Sequence, residues 1–455
     1  VTLDDNAGTA TVTINTTNGA QTIAGTIDGA AAGEGTLVVK DDDDSAAAQA
    51  ATFSGNIGGS KSLLALNIGT VGGADDPSSA VFNGTTSATT ITLTAGDAAN
   101  ETGLATFNGN VTATTINIIG GGDGTADATA SFATDVSATT IKLDDVTGQG
   151  TMKATGSVAQ TIAAAIQGTT DTDGTLQNSN TAAVVTFTGI IGNGGTNDVG
   201  LIALDADTST KFSSAINTVD LTVGAGSTVN LDGATTVNND FTVAGSSTID
   251  VAAAVTVKGK LTIADSSVIV VDASLVTAGT TAFTVTSGGT AIADNDDSAD
   301  VTVKLPSNFT SGTFNLIDDT GTNLASQLDE YVALDTALVD YTIAAGSDDT
   351  IVAVTASLKS TQNTAANLGL TREEAIVLKN ANAALTTGDP VALEAMTTAL
   401  NTGGAEATKT AKQVGLQPDT LGVGASTLGD VGGKIATIVF NRLTSERAGI
   451  QYASP

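Results

Sequence analysis

The chain of 455 residues contains no histidine, cysteine or tryptophan, and its formal net charge at pH 7 is −32. These absences exclude Ser-His-Asp catalysis, thiol catalysis and disulfide bonds, and a charge of this sign repels nucleic acid and anionic lipid. Residues 1–365 hold 9 basic and 40 acidic residues, so almost all of the net charge belongs to that segment. Aromatic residues make up only 3% of the chain, so many small apolar side chains must build the core.

The first residues alternate apolar and polar side chains, as in Ala10–Ile14, which predicts β-strands. The string over Ala20–Gly29 returns with few changes over Ala159–Gly168, and Gly35–Leu37 returns as Gly174–Leu176. The offset along the chain is the same for both pairs. We infer that a block of several turns has been duplicated as a unit.

A shorter repeat follows, in which Phe82, Phe107 and Phe132 recur at an even spacing. Nine residues after each phenylalanine comes an isoleucine: Ile91, Ile116 and Ile141. A fixed period of about 25 residues is typical of a solenoid, whose short unit buries its apolar face only by stacking on its neighbours. We therefore predict that the three phenylalanines stack inside a coil of β-strands.

From Phe212 to Val271 the repeat is shorter, as in Leu221, Phe241 and Leu261 and in the parallel line that includes Ile249 and Ile269. A period of about 20 residues favours a compact right-handed β-helix turn. The predicted fold class is all-β, a parallel β-helix (β-solenoid) with a small C-terminal α-helical module. At about 20 to 25 residues per turn, residues 1–365 supply about 15 to 18 turns of solenoid.

Residues 366–455 change to a helical pattern. Thr371 and Glu374 form a capping box before one predicted helix, Thr371–Leu385, and Asp389 and Pro390 start another, which ends at Leu400. Shorter and later helices are predicted near residues 405–414 and 428–447. This segment is predicted to be a separate module of small size.

Runs of aspartate in predicted loops supply the hard oxygen ligands that Ca²⁺ prefers. None of these runs matches the EF-hand pattern, and the simpler interpretation is that they are solvated loop tips. The hypothesis of a structural calcium site rests on seven residues: Asp41, Asp42, Asp43, Asp44, Asp294, Asp296 and Asp297.

The residues that sugar chemistry needs are scarce. A glycosidase or lyase uses paired carboxylates or basic residues in a groove, usually with aromatic platforms for the sugar. Every arginine lies at or after Arg372, and tyrosine occurs only at Tyr331, Tyr341 and Tyr452. We therefore expect the protein not to be an enzyme.

The end of the chain resembles the segment that joins passenger to barrel in autotransporter proteins. The residues that carry this resemblance are Gln413–Pro418, Gly424-Ala425 and Ile435–Arg447, which ends in an Arg-Leu-x-x-x-Arg pattern. The stretch Asn380–Leu400 is also similar to rickettsial outer membrane protein B and related surface-layer autotransporters. The resemblance implies a released passenger, cut near Ser454-Pro455, on the outer face of a Gram-negative outer membrane.

Three functions are compatible with these observations. The first is a structural surface protein that associates with copies of itself into a surface layer, with divalent cations bridging its carboxylates. Its expected partners are other copies, outer-membrane surface components or its own cleaved barrel, and not nucleic acid. The second is an adhesin passenger that binds a host or environmental surface, and the third is a carbohydrate-active β-helix enzyme.

Overall fold

The computed structural model describes residues 1–5, 9–17, 19–41, 49–69, 78–99, 101–276, 280–286, 289–292, 301–306, 309–346 and 349–414. It confirms the predicted fold class, because most of these residues form short strands that stack in parallel, followed by a few helices.

The first half of the chain contains strands β1 (Thr2–Leu3), β2 (Thr11–Asn15), β3 (Gln21–Ile23), β4 (Asp28–Gly29), β5 (Thr36–Lys40), β6 (Ala50–Phe53), β7 (Leu63–Ile68), β8 (Ser78–Phe82), β9 (Thr86–Thr94), β10 (Gly103–Phe107), β11 (Val111–Ile119), β12 (Ala128–Phe132), β13 (Val136–Asp144), β14 (Gly150–Ala154), β15 (Gln160–Gly168), β16 (Asp173–Asn178), β17 (Val184–Phe187), β18 (Val199–Leu204), β19 (Ser209–Phe212) and β20 (Ile216–Val223). The second half contains β21 (Thr228–Leu231), β22 (Thr235–Val237), β23 (Phe241–Val243), β24 (Thr248–Val251), β25 (Val255–Val257), β26 (Leu261–Ile263), β27 (Val268–Val271), β28 (Thr281–Val285), β29 (Thr290–Ile292), β30 (Val301–Lys304), β31 (Gly312–Asp319), β32 (Tyr331–Ala333), β33 (Val339–Ala345) and β34 (Ile351–Leu358). A 3-10 helix covers Ala325–Glu330, and the α-helices are α1 (Thr361–Leu368), α2 (Arg372–Gly388), α3 (Pro390–Asn401) and α4 (Gly404–Val414).

Strands at the same position in successive turns pair in parallel, which gives the coil three sides. Side one runs through β3, β6, β8, β10, β12, β14, β16, β18, the end of β20, β23, β26 and β29. Side two runs through the starts of β9, β11, β13 and β15 and then β17, β19, β21, β24, β27, β30 and β32. Side three runs through β2, β5, β7, the ends of β9, β11, β13 and β15, the start of β20, and then β22, β25, β28 and β31.

The open sheet from β2 to β32 holds 14 strands, one per turn, where the sequence suggested about 15 to 18 turns. The turns after β27 are longer than those before it, since β27 begins at Val268 and β30 only at Val301. Fewer turns therefore use the same length of chain.

The predicted phenylalanine stack is confirmed and is one member longer than expected. Phe53, Phe82, Phe107 and Phe132 form a column in which adjacent ring centroids are 5.0, 4.9 and 5.1 Å apart and the rings are within 9° of parallel. All four side chains are buried. The parallel pairing of residue on equivalent residue puts each ring directly over the previous one, so the interior is filled by repetition.

The duplicated block is rotated by one side between its two copies. In the first copy Ile23 lies on side one, whereas the matching Ile162 lies on side two. Phe187 pairs with Ile162 and stacks on Phe212, with ring centroids 5.2 Å apart. This second aromatic pair is therefore on a different side of the coil from the first phenylalanine column.

Three buried amide side chains occupy the corner where the phenylalanine column ends. The Nε2 atom of Gln160 donates to the carbonyl oxygen of Phe132 at 2.7 Å. The Nδ2 atom of Asn178 donates to the Oγ1 atom of Thr210 at 2.7 Å, and that of Asn180 donates to a backbone carbonyl at 2.9 Å. Most buried polar groups in proteins are hydrogen-bonded, and these bonds satisfy the amide nitrogens of the three side chains inside the closed corner.

A column of buried hydroxyl groups marks another corner, formed by Thr208, Ser227, Ser247 and Ser267. The Oγ atom of Ser227 donates to the carbonyl of Asp205 at 2.7 Å, and that of Ser247 donates to a carbonyl of the previous turn at 2.8 Å. These bonds join successive turns at positions where the backbone leaves the strand ladder.

The parallel winding gives way to antiparallel pairing before residue 365, the predicted end of the solenoid. Strand β34 pairs antiparallel with both β31 and β33. Three of the helices predicted after Ser360 are confirmed as α2, α3 and α4, including the capping box of Thr371 and Glu374. Helix α1 was not predicted, although Ser360 caps it. The helix predicted over residues 428–447 lies outside the described residues.

A buried lysine joins the last strands to the helices. Lys359 is 5% exposed, and its Nζ atom donates to Asp335 Oδ2 at 3.3 Å, to Val339 O at 3.2 Å and to Asp340. The carbonyl oxygen of Lys359 accepts a hydrogen bond from Lys379 of α2 at 2.6 Å. These contacts attach the helical module to the end of the β-structure.

We predict that Phe107→Ala destabilises the centre of the phenylalanine column by about 3–5 kcal/mol, the usual cost of truncating a buried phenylalanine. Hydrogen exchange of the β8, β10 and β12 amides measures this loss locally, since turns of a solenoid can open separately. Thr106→Ala on the same strand is the control, because Thr106 points outward. Equal loss of protection in the two variants would contradict the stacked interior.

Candidate functional site

The predicted calcium ligands are described only in part. Asp41 directly follows β5, is buried, and accepts a hydrogen bond from the backbone N–H of Gln49 at 3.2 Å. The other six candidates, Asp42, Asp43, Asp44, Asp294, Asp296 and Asp297, lie outside the described residues. Asp41 thus has a structural contact, and the calcium site itself stays a prediction.

In the part of the chain that the structure describes, no three or more His, Cys, Asp or Glu side chains are grouped in a way that could hold a metal ion. Many described carboxylates instead accept hydrogen bonds at the corners of the coil. Asp220 Oδ1 accepts from the backbone N–H of Asp240 at 3.0 Å, and Asp240 Oδ1 accepts from the N–H of Lys260 at 2.9 Å. Each carboxylate therefore binds the backbone of the following turn.

The same contact recurs along the coil. In four further cases an aspartate accepts a backbone N–H from a residue 22 to 32 positions later: Asp28 from Ser60, Asp127 from Gln149, Asp135 from Thr161 and Asp171 from Asp198. Amides at corners have left the strand ladder and need another acceptor, and an ionised acceptor makes the stronger bond. Part of the acidic composition is explained by this structural role.

The clearest carboxylate contact is present in both copies of the duplicated block. Asp5 accepts the N–H of Ala10 at 2.6 Å and that of Gly35 at 3.0 Å. Asp145 accepts the N–H of Gly150 at 2.6 Å and that of Gly174 at 2.8 Å. The internal repeat in the sequence includes Gly35 and Gly174. It does not include the two aspartates, which lie one turn earlier in the chain.

The two glycines of this contact are required by space as well as by conformation. Gly35 and Gly174 both have φ of +79°, a conformation that favours glycine. A Cβ atom on Gly35 would lie 2.3 Å from the Cβ of Leu3, and one on Gly174 would lie 2.1 Å from the Cβ of Leu143. The duplicated sequence therefore reproduces the same local packing in both copies.

The surroundings of the two aspartates shift their pKa values in opposite directions. The backbone hydrogen bonds from Gly35 and Ala10 lower the pKa of Asp5 below 3.8. Burial raises the pKa of Asp145 above that value, with further increases from the charges of Asp173 and Asp144.

A second charged group lies on side two. Lys211 Nζ is 2.8 Å from Asp232 Oδ2. Burial raises the pKa of nearby Asp250, and the charges of Asp272 and Asp232 raise it further, while Lys211 lowers it. The three carboxylates repel one another, and the single lysine offsets this repulsion only in part.

Side one differs from these corners because the central outward row of its described strands contains no carboxylate over eleven consecutive turns. Its central row, defined by the register of the strands, consists of Thr22, Thr52, Val81, Thr106, Ser131, Lys153, Gln177, Ala203, Thr222, Thr242 and Thr262. A second row beside it consists of Ala50, Ser79, Leu104, Thr129, the buried Thr151 and Thr175, Leu201 and Asp220.

Comparison with known proteins finds no matching family model, no similar curated protein and no similar solved structure. Among the helices that the structure describes, none is long and apolar enough to cross a lipid bilayer.

We predict that carbon-detected NMR titration gives Asp5 a pKa below 3.8 and Asp145 a pKa above it. For Asp5 the ionised form is favoured by folding, so its contribution to stability is present above pH 3.8 and is lost as the pH falls through its folded pKa. For Asp145 the folded protein binds the proton more tightly, so its contribution is present below pH 3.8 and is lost as the pH rises through its folded pKa. Equal titration midpoints would show that the two copies do not differ in burial.

Proposed function

We propose that this protein is a structural cell-surface protein whose coils associate side by side into a layer, with divalent cations bridging carboxylates of neighbouring copies. The observation that carries the proposal is the regular stacking of the coil. Each turn repeats the outward positions of the previous one, so one copy offers the same type of contact many times along its length. Repeated weak contacts give strong association when the geometry allows all of them to form together.

The interior supports a passive role for the coil. The largest side chains within it are fully buried, and they include the phenylalanines of the two stacked sets. The chain has no histidine, and all its arginines lie at or after Arg372. We therefore propose that the protein is not an enzyme.

The resemblance to autotransporter passengers supports a location on the outer face of a Gram-negative outer membrane. Of the residues that carry this resemblance, the stretch 380–400 forms the end of α2 and most of α3. Nearly all of the remainder, from residue 415 onwards, lies outside the described residues. We propose that the chain is a passenger that remains at the surface through contacts with other copies, outer-membrane components or its own cleaved barrel.

Calcium is proposed to act between copies. With a net charge of −32, neighbouring coils repel one another unless their carboxylates are screened or bridged. A cation such as Ca²⁺ binds six to eight oxygen atoms, which two loops from different copies can supply together. Asp42–Asp44 and Asp294–Asp297 are the segments that we propose for this contact.

We predict that the purified protein forms extended sheets in negative-stain electron microscopy when CaCl₂ is present, and that a chelator returns it to single copies that keep their β-rich circular dichroism. NaCl at matched ionic strength is the control, since Na⁺ screens charge but bridges carboxylates poorly. Changing Asp294, Asp296 and Asp297 together to asparagine should weaken the calcium response.

Each outcome of this experiment separates the hypotheses. Sheets that form equally well in NaCl would retain the layer but contradict calcium bridging. Single copies under every condition would contradict the layer and favour the adhesin alternative, in which one copy binds a foreign surface.

A further inference from the structure

We infer that the corner between side one and side two, at Asn83 and Asn108, is a site of spontaneous covalent modification, in which Asn83 loses its amide group and becomes an aspartyl residue. The reaction is the attack of a backbone nitrogen on the side chain of the preceding asparagine. It needs no enzyme and no cofactor, and it does not depend on the proposed association of copies.

The sequence contains few residues of the required kind. Asparagine is thermally labile in proteins, and it is most labile before glycine, which has no Cβ atom to hinder ring closure by its nitrogen. Four asparagines of the chain precede a glycine: Asn18, Asn83, Asn108 and Asn193. Asn18 lies outside the described residues. The other three are exposed but differ in their hydrogen bonds, so we expect different rates of reaction.

The glycine nitrogen is available at the corner and is engaged at the third site. The N–H groups of Gly84 and Gly109 donate no hydrogen bond to any of the described residues. After Asn193, in contrast, the N–H of Gly194 donates to Asp198 Oδ1 at 2.8 Å. An N–H group bonded to a carboxylate gives up its proton less readily, so Asn193 is protected.

Of the two asparagines at the corner, Asn83 is activated by the other. The Nδ2 atom of Asn108 donates to the Oδ1 atom of Asn83 at 2.8 Å, so the amide of one turn polarises the carbonyl group of the turn before. Negative charge develops on this same oxygen when the backbone nitrogen attacks, and a donor already aimed at it lowers the barrier. No described residue donates a hydrogen bond to Oδ1 of Asn108, so that residue lacks the activation.

The reaction consumes only water. Hydroxide removes the proton of the Gly84 N–H, and the nitrogen forms a bond with Cγ of Asn83. The bond from Cγ to Nδ2 then breaks, and Nδ2 leaves as ammonia after taking a proton from water. Water opens the resulting succinimide ring to an aspartyl or isoaspartyl residue. Because the reacting atoms belong to adjacent residues, the first step has the advantage of an intramolecular reaction.

The coil itself requires glycine after both asparagines. A Cβ atom on Gly84 would lie 2.5 Å from Oδ1 of Asn56, and one on Gly109 would lie 2.4 Å from the carbonyl oxygen of Gly84. A larger residue, which would slow ring closure, does not fit at either position. The product is also accommodated, because a carboxylate at position 83 keeps the hydrogen bond from Asn108 with an ionised and therefore stronger acceptor.

The test incubates the full chain in a mildly alkaline buffer and follows each site by peptide mapping with mass spectrometry, which detects the change from amide to acid. We expect Asn83 to convert first, Asn108 more slowly and Asn193 slowest. Asn108→Ala should slow conversion at Asn83 about threefold to tenfold, the effect of losing one exposed hydrogen bond. Asn108→Asp, which keeps the shape of the side chain but has no N–H to donate, should also slow it.

The matched control is Asn193→Ala, which removes an exposed asparagine elsewhere and should leave the rate at Asn83 unchanged. Circular dichroism checks that each variant remains folded. A parallel incubation in concentrated urea separates structure from sequence. Because glycine follows all three asparagines, their rates should become similar once the coil is unfolded.

Three results overturn the inference. If Asn193 converts as fast as Asn83 in the folded protein, the hydrogen bond of Gly194 gives no protection. If conversion at Asn83 is as fast in both folded Asn108 variants as in the unchanged protein, Asn108 does not activate it. If the three rates keep the same ratios in urea, the local sequence sets them and the corner does not.

Discussion

The structure depends on the vertical match between side chains in successive turns of a narrow coil. Parallel pairing places each residue over its equivalent, so a turn is stable only if its inward side chains fit those above and below. The column from Phe53 to Phe132 meets this requirement by repeating one residue. Where the column ends, Ala154 and the buried Asn178 take the next two positions, and amide hydrogen bonds replace aromatic contact.

The corners of the coil impose a second requirement, because backbone groups there leave the strand ladder. Serine and threonine hydroxyls donate to free carbonyls, as in the column that includes Ser227 and Ser247. Aspartates accept the free amides, as Asp5 and Asp145 do. A carboxylate used in this way is a poorer ligand for a cation, since metal binding leaves its amide partners unpaired. Part of the acidic composition therefore stabilises the single coil, whether or not copies associate.

These two requirements leave the outward strand positions free for function. Interior positions are fixed by packing and corner positions by hydrogen bonding, whereas an outward residue such as Thr106 or Thr242 belongs to neither group. The lack of carboxylates in the central outward row of side one is therefore not demanded by the stability of a single copy.

The sequence alone determined the type of fold and much of its register. The two repeat spacings correctly placed Phe82 over Phe107 and Ile249 beside Ile269. Each spacing is visible in the sequence of adjacent turns, so it predicts which residues pair. Capping by Thr371 and by Asp389 likewise depends on residues within one helical turn.

Only the tertiary structure decided which side of the coil each repeat occupies. The rotation of the duplicated block depends on the number of corners between its copies, which the repeated string itself does not record. Contacts such as Asp5 with Gly35 join residues 30 positions apart, and the antiparallel pairing of β31 with β34 joins distant strands with no shared pattern. These contacts depend on the lengths of all the strands and loops between the paired residues, which no single repeat spacing gives.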